Sequence, residues 1–209
     1  ILGHMVLLIT AFFMSRLLSP AVEPFLGPYG SNYVAFLILG TALFNPIEQI
    51  RRTPYNAINI AFLEGSYELY AMSPVGIKAL MIGSIIWESI YWSGILGLYL
   101  TLGTLFFGLT LNPRSNYGLA FLLYFLLVLA VIGLGLIDAA MVSLLEAKQW
   151  RTPLNLFMSI VAPIVAGVYF PIEILPPWIL TLSYLLPHTF GFQAVRRVLL
   201  AGDSLSNPT

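Results

Sequence analysis

The chain has 209 residues, 59% hydrophobic and only 9% charged, with a mean hydropathy of +0.90; soluble domains carry about 25% charged residues, so a water-soluble globule is excluded. Nine basic and nine acidic residues cancel, which leaves no basic surface for nucleic acid and no polybasic patch for anionic lipid. The absence of cysteine excludes disulfides, thiolate metal sites and cysteine nucleophiles.

A bilayer core is crossed by about 20 mainly apolar helical residues. On that measure the sequence predicts one transmembrane domain over 1–209, an all-α polytopic bundle with five visible spans. The first covers about 1–18 and closes at Ser19 and Pro20. It opens inside apolar sequence without an initiator methionine, and neither a basic n-region nor a small-residue cleavage site accompanies it, so a truncated first span is expected rather than a signal peptide. The second begins near Asn32 and has two readings: a short span ending near Pro46, or a long kinked one reaching about residue 62. The third covers about 79–109 and the fourth 117–145, separated by the turn-forming run Asn112, Pro113, Arg114, Ser115 and Asn116. The fifth covers about 153–170, with Pro153 suited to a helix start. The tail from Asp203 to Thr209 is polar, and no inverted internal repeat is visible.

Between the fifth span and the tail lies a segment too apolar for a loop and too broken for a spanning helix. Pro171, Pro176, Pro177 and Pro187 each remove a backbone donor, and the carbonyls so freed survive at membrane depth only beside other protein or a water-filled cavity. A re-entrant helical hairpin over about 171–200 is expected there. His188 follows Pro187 without a Ser-His-Asp spacing, an HExxH or a His/Cys cluster, so a hydrogen-bonded turn histidine at the interface is expected rather than catalysis or metal binding. Arg196 and Arg197 are expected to meet lipid phosphates at the outer surface.

Charges inside the apolar runs are costly, about 2.5 to 3.5 kcal/mol for a lone one at the bilayer centre, so pairing or hydration is expected. Glu88 and Asp138 both fall ~12 Å from the same membrane edge, given 1.5 Å rise per residue. If the second span is long, Glu48, Arg51 and Arg52 enter a similar layer. A structural polar layer is one reading; a substrate site or a proton relay is the other. Gly135, Ala139 and Ser143 put a small residue at every fourth position of the fourth span, which suits close packing within the chain or against a second subunit. Tyr91, Trp92, Tyr99, Tyr117 and Tyr124 suit interfacial belts and packing, or the lining of a sugar pathway.

Two segments, in order, resemble the permease subunit of the ABC type-2 transporter family. One is Glu64 to Pro74, EGSYELYAMSP; the other is FPIEILPPWILTLSYLLPHTFGFQAVRRVLLAG, ending at Gly202. With the span spacing, the similarity covers nearly the whole chain. It implies a cytoplasmic coupling loop at about 63–78, with Glu64, Gly65, Tyr67, Glu68, Ser73 and Pro74 as the residues toward the ATPase. A second cytoplasmic loop would lie at Glu146 to Arg151, and the hairpin would face outside. Lys78, Lys148 and Arg151 against Arg114, Arg196 and Arg197 are a tie that leaves orientation to the resemblance. The family usually has six spans and a preceding cytoplasmic amphipathic helix; here the helix and the sixth span are expected to be missing.

No GxxxxGK[ST] stretch occurs, so the resemblance puts ATP and Mg on a partner ATPase and no cofactor on this chain. The other partners it implies are a second permease chain, identical or not, and membrane lipid, in a prokaryotic cell (inner) membrane. Glu64 and Glu68, at i and i+4, are expected on one helix face toward basic residues of the ATPase, against a reading as a solvated loop helix. Pro171, Pro176, Pro177, Trp178 and Pro187 are expected to form an outer gate, with its tip near Pro176 and Trp178. The substrate is expected among polysaccharides or lipid-linked glycans, lipids and drugs. An ion-coupled transporter or channel using Glu88 and Asp138 is the alternative.

Overall fold

The structure, a computed structural model, describes residues 2–29, 32–144 and 152–202. Among them the chain forms α1 (Leu2–Val22), α2 (Tyr33–Leu63), α3 (Tyr67–Met72), α4 (Gly76–Phe106), α5 (Tyr117–Leu144), α6 (Pro153–Ile160), α7 (Ala162–Val165), α8 (Pro177–Tyr184) and α9 (Pro187–Arg196). The fold is an all-α helical bundle, and α1, α2, α4 and α5 are each long and apolar enough to cross a membrane.

The centre of the bundle is α2. In its most apolar window 78% of residues are buried, against 6% for α4, so α2 is the axis and α4 a peripheral helix with most of its surface turned outward. Asn32 caps the start of α2 by accepting from the Ala35 amide at 3.2 Å. The helix then runs through both Pro46 and Pro54. Each proline withholds a donor from the carbonyl four residues earlier. Next to these weak points, hydroxyl and amide side chains turn back onto the helix: Thr41 donates to the Leu37 and Ile38 carbonyls, Asn45 to that of Thr41, and Thr53 to that of Gln49.

A continuous fifth span over 153–170 is not formed. The segment breaks into α6 and the four-residue α7, then into irregular chain. Pro163 cannot donate back to Ser159, and Gly167 adopts φ +75°, a left-handed conformation that suits glycine and ends the helix. Freed carbonyls at such a break need donors, and they receive them from far along the chain. Arg196 donates to the Gly167 carbonyl at 2.5 Å and the Val168 carbonyl at 2.7 Å, and the Tyr33 hydroxyl donates to that of Tyr169 at 2.9 Å. Arg196 reaches them across Gly40, where a Cβ would lie 1.8 Å from its guanidinium, and it stacks over the Phe36 ring at 3.7 Å.

Two short helices follow. At 1.5 Å per residue, the eight residues of α8 span ~12 Å and the ten of α9 ~15 Å, so neither crosses a bilayer. Gly191 lets α9 press against Leu127 of α5, since a Cβ there would come within 2.6 Å of the leucine. A π-turn, Arg197–Ala201, continues α9 toward the link between α4 and α5. There the Asn112 amide and the Ser115 hydroxyl both donate to the Leu199 carbonyl at 2.9 Å. These two anchor points set α9 antiparallel to α5, with its first residues deep in the bundle and its end at the α4–α5 link. The inward end of the hairpin is therefore the bend at Leu185 and Leu186 between α8 and α9. It does not lie near Pro176 and Trp178, which begin α8.

Buried apolar side chains fall into two separate cores. The larger gathers α1, most of α2, α5, the α7 region and α9. The smaller, at the α3 end of the bundle, joins Tyr55 and Ile58 of α2 to Ala139 and Val142 of α5, with Phe62, Tyr67, Ile77 and Met81 packed against it.

Candidate functional site

Between the two cores lies a layer of charge. Glu48 and Arg51, one turn apart on α2, form a paired contact in which Nε and Nη2 each donate at 2.8 Å. Arg51 also donates to Asp138 of α5 at 3.0 Å, and Arg52 donates to Glu48 at 2.8 Å. The second Asp138 oxygen accepts from the Thr152 hydroxyl. Thr152 is also the N-cap of α6, accepting from the Asn155 amide at 3.1 Å. Arg52 spans to α6 as well, donating to Ser159 at 2.8 Å. Arg51 and Asp138 are fully buried. Two carboxylates thus meet two guanidiniums in a closed network linking α2, α5 and α6, which is what low dielectric demands of buried charge. The helices come close enough because Gly135 lies against the backbone of Arg51, where a Cβ would be 2.1 Å from the carbonyl oxygen. Ala139 is buried on the same face.

Glu88 stands outside this network. It accepts from the Trp92 indole at 2.7 Å, one turn further along α4, and no cation lies within ion-pair distance among the described residues. The layer expected to include Glu88 therefore closes without it, because α4 turns that face toward a different part of α2. There a cleft of about 320 Å³ opens between two polar stripes: Gln49, Thr53 and Asn56 on α2, and Ser84, Glu88 and Trp92 on α4. Their spacings, i, i+4, i+7 and i, i+4, i+8, each describe one helix face. That was the available sequence signal, and the facing of the two stripes is what it lacked. The aromatics do not gather on one pathway: Tyr99 and Tyr124 are buried, the latter bonded to Ser93 at 3.0 Å, while Tyr91 and Tyr117 are exposed.

At the α3 end, Glu64 and Glu68 do not share a helix. Glu64 is the C-cap of α2, Gly65 turns the chain with φ +68°, and Glu68 lies in the first turn of α3. Tyr67 fixes the new helix by stacking on Phe62 at 4.0 Å with the rings 13° apart. Ser73 closes it: its hydroxyl donates to the Tyr70 carbonyl at 2.8 Å and accepts from the Gly76 amide at 3.0 Å, tying the end of α3 to the start of α4 across Pro74. The outward side of α3 is more apolar than acidic, with Leu69 73% and Met72 85% exposed. The loop expected at Glu146 to Arg151 lies outside the described residues, as does the side chain of Ser143.

The hairpin differs from expectation in its polar residues. Arg196 is buried against the broken backbone of the fifth segment instead of meeting lipid phosphate, because two freed carbonyls and the Phe36 ring claim it. Arg197 lies over the Tyr29 ring at 5.9 Å. His188 is fully buried rather than at an interface, set edge-on to Phe192 at 6.0 Å, and neither ring nitrogen has a hydrogen-bond partner among the described residues. Phe192, one turn beyond His188 on α9, meets Phe44 at 6.4 Å, one turn before Glu48 on α2. The hairpin therefore reaches the charge layer, rather than lying wholly on the opposite side of the membrane from it. Trp178 is exposed at the other end of α8.

A multi-span helical bundle with a broken fifth segment, a short helix at one end and a hairpin entering from the other defines a polytopic helical membrane protein. The family model described as ABC-2 type transporter matches residues 53–200, more than half of the chain. The chain belongs to that family: it is an integral membrane protein and a permease subunit of an ABC transporter. No curated protein and no solved structure matches it.

Proposed function

We propose that the chain forms the export pathway of an ATP-driven transporter as one of two permease chains, powered by a separate nucleotide-binding subunit that carries ATP and Mg and docks on α3. Family membership supports the class. The observation that carries the coupling is the mounting of α3, with its outward side apolar and exposed and its inward side stacked on Phe62 and bonded into the start of α4. A force on α3 is passed to α2 and α4 together, through the small core, to the charge layer above it. In this reading the α3 end faces the cytoplasm of a prokaryotic cell and the hairpin, with Trp178 at its mouth, serves as the outer gate. An ion-coupled route through Glu88 and Asp138 receives no support from the geometry, since both Asp138 oxygens are engaged by Arg51 and Thr152.

The test is co-purification of the full chain with its nucleotide-binding subunit, followed by ATPase measurement in liposomes. Leu69→Asp with Met72→Asp should remove docking and stimulated ATPase while the permease still folds, since both side chains are exposed. Undiminished co-purification of the double variant would sink the docking site.

A further inference from the structure

We propose that the cleft between α2 and α4 is a binding site for a lipophilic organic cation, an onium or protonated amine group on an amphiphilic molecule, with Glu88 as its counter-charge. The proposal rests on the exporter reading and narrows its substrate class to cationic lipids or drugs.

The argument begins with charge. The buried layer holds Glu48 and Asp138 against Arg51 and Arg52 and is balanced as it stands. Arg51 gives its donors to both carboxylates, and Arg52 gives its own to Glu48 and Ser159. Neither is available to Glu88. An acid twelve residues into α4, ~18 Å along the helix, is well inside the apolar slab, where an uncompensated charge is costly. Acids in such positions mark pathways by default.

The second observation is the cavity itself. It faces the carboxylate with the amides of Gln49 and Asn56 and the hydroxyls of Thr53 and Ser84, while Ala57 and Ile60 supply apolar wall. The lining mixes five polar side chains with Ala57, Ile60 and Trp92, and about 320 Å³ is at the lower end of the usual size of a small-molecule site. The third is Trp92. Its N–H holds one Glu88 oxygen at 2.7 Å and so fixes the carboxylate at the cleft. A carboxylate fixed inside the apolar slab selects a cation, since only positive charge compensates it there. An anion would meet the like charge of Glu88 there, and a neutral ligand would leave that charge uncompensated.

The experiment uses the full chain in a non-ionic detergent, without ATP or partner, and measures equilibrium binding of radiolabelled tetraphenylphosphonium. Tetraphenylborate, nearly the same shape with opposite charge, is the control. Saturable binding of the cation at about one per chain is expected, with none for the anion. Glu88→Gln, which can still accept from the indole, should weaken the affinity at least tenfold, equivalent to about 1.4 kcal/mol. Asn56→Leu narrows the cleft without touching the carboxylate, and should also weaken binding; it serves as the second variant should Glu88→Gln fail to fold.

Phosphatidylethanolamine added to the micelles distinguishes the source of the cation. Competition identifies a lipid headgroup, and its absence a free amphiphile. Equal affinity in wild type and Glu88→Gln, or no saturable binding to wild type, would overturn the site. The ATPase docking test reads α3 alone, so either proposal can fail without the other.

Discussion

Replacing Arg51 by Met tests whether the charge layer is the element that fixes α2 to α5. The guanidinium makes two hydrogen bonds to Glu48 and one to Asp138, all between 2.8 and 3.0 Å and all buried. Methionine preserves most of the stem packing but leaves two carboxylates facing only Arg52 and Thr152. Removing one member of a buried pair costs about 3 to 5 kcal/mol, because the partner remains as an uncompensated charge. The expected loss for Arg51→Met is therefore ~3 kcal/mol or more in unfolding from mixed micelles. Asp138→Asn alone leaves Arg51 still paired with Glu48 and should cost less, ~1 to 2 kcal/mol. In the double variant one stranded charge is removed along with its former partner, so the two losses should fall short of additivity by about 1 to 3 kcal/mol. A single-variant loss under about 1 kcal/mol, or strict additivity, would show that Arg51 is hydrated or paired elsewhere and that the layer does not bind the helices.

Gly135→Ala places a methyl 2.1 Å from the Arg51 carbonyl oxygen and should sharply reduce folded yield, while Gly133→Ala, which meets nothing within 4 Å, should be neutral or slightly stabilising by size-exclusion profile. Gly40→Ala must displace Arg196, whose guanidinium lies 1.8 Å from the new carbon; the freed Gly167 and Val168 carbonyls should then appear as faster proteolysis near the break between α7 and α8. Tyr29, outside the spans, has its phenol pushed up to about 12 by burial first, then by the charge of Glu173 and the bond it donates to Glu173 at 3.1 Å. The unfolded phenol ionises near pH 10 while the folded one keeps its proton. Stability is then complete below pH 10 and falls between pH 10 and about 12, by roughly 2 to 3 kcal/mol. Tyr29→Phe should flatten that alkaline decline, as read by unfolding curves at successive pH values.

Hydropathy alone was enough for the long helices, because a run such as Tyr117 to Leu144 has no soluble alternative. It could not give their facing. Both α4 and α5 are apolar around nearly the whole circumference, so periodicity does not say that Asp138 turns inward to Arg51 while Glu88 turns to a cleft. Equal depth made them look like one layer, and the azimuth separates them. The broken fifth segment was hidden for another reason. Pro163 was visible, but α2 carries two prolines and does not break. What differs is Gly167 together with Arg196, a donor 29 residues away that satisfies the opened carbonyls. Arg196 looked like a lipid-facing charge because its partners are backbone atoms, which no side-chain pattern records. Glu64 and Glu68 were misplaced by one glycine, since Gly65 turns the chain between them.

The division into two cores gives the proposed coupling a physical basis. A bundle with one continuous core would resist bending everywhere, because close packing transmits strain rather than absorbing it. Here α2 carries Pro46 and Pro54 on either side of the charged turn Glu48 to Arg52, so its backbone is weakest on both sides of the layer that separates the cores. Charged hydrogen bonds in that layer can tilt without opening a cavity, whereas an apolar interface would have to repack. The small core, fastened to α3 by the Phe62 and Tyr67 rings, can then move as a body against the large one. The cleft at Glu88 is lined by α2 residues on both sides of Pro54. A bend at that proline would change its width directly, joining the force received at α3 to the one unbalanced acid of the membrane region among the described residues.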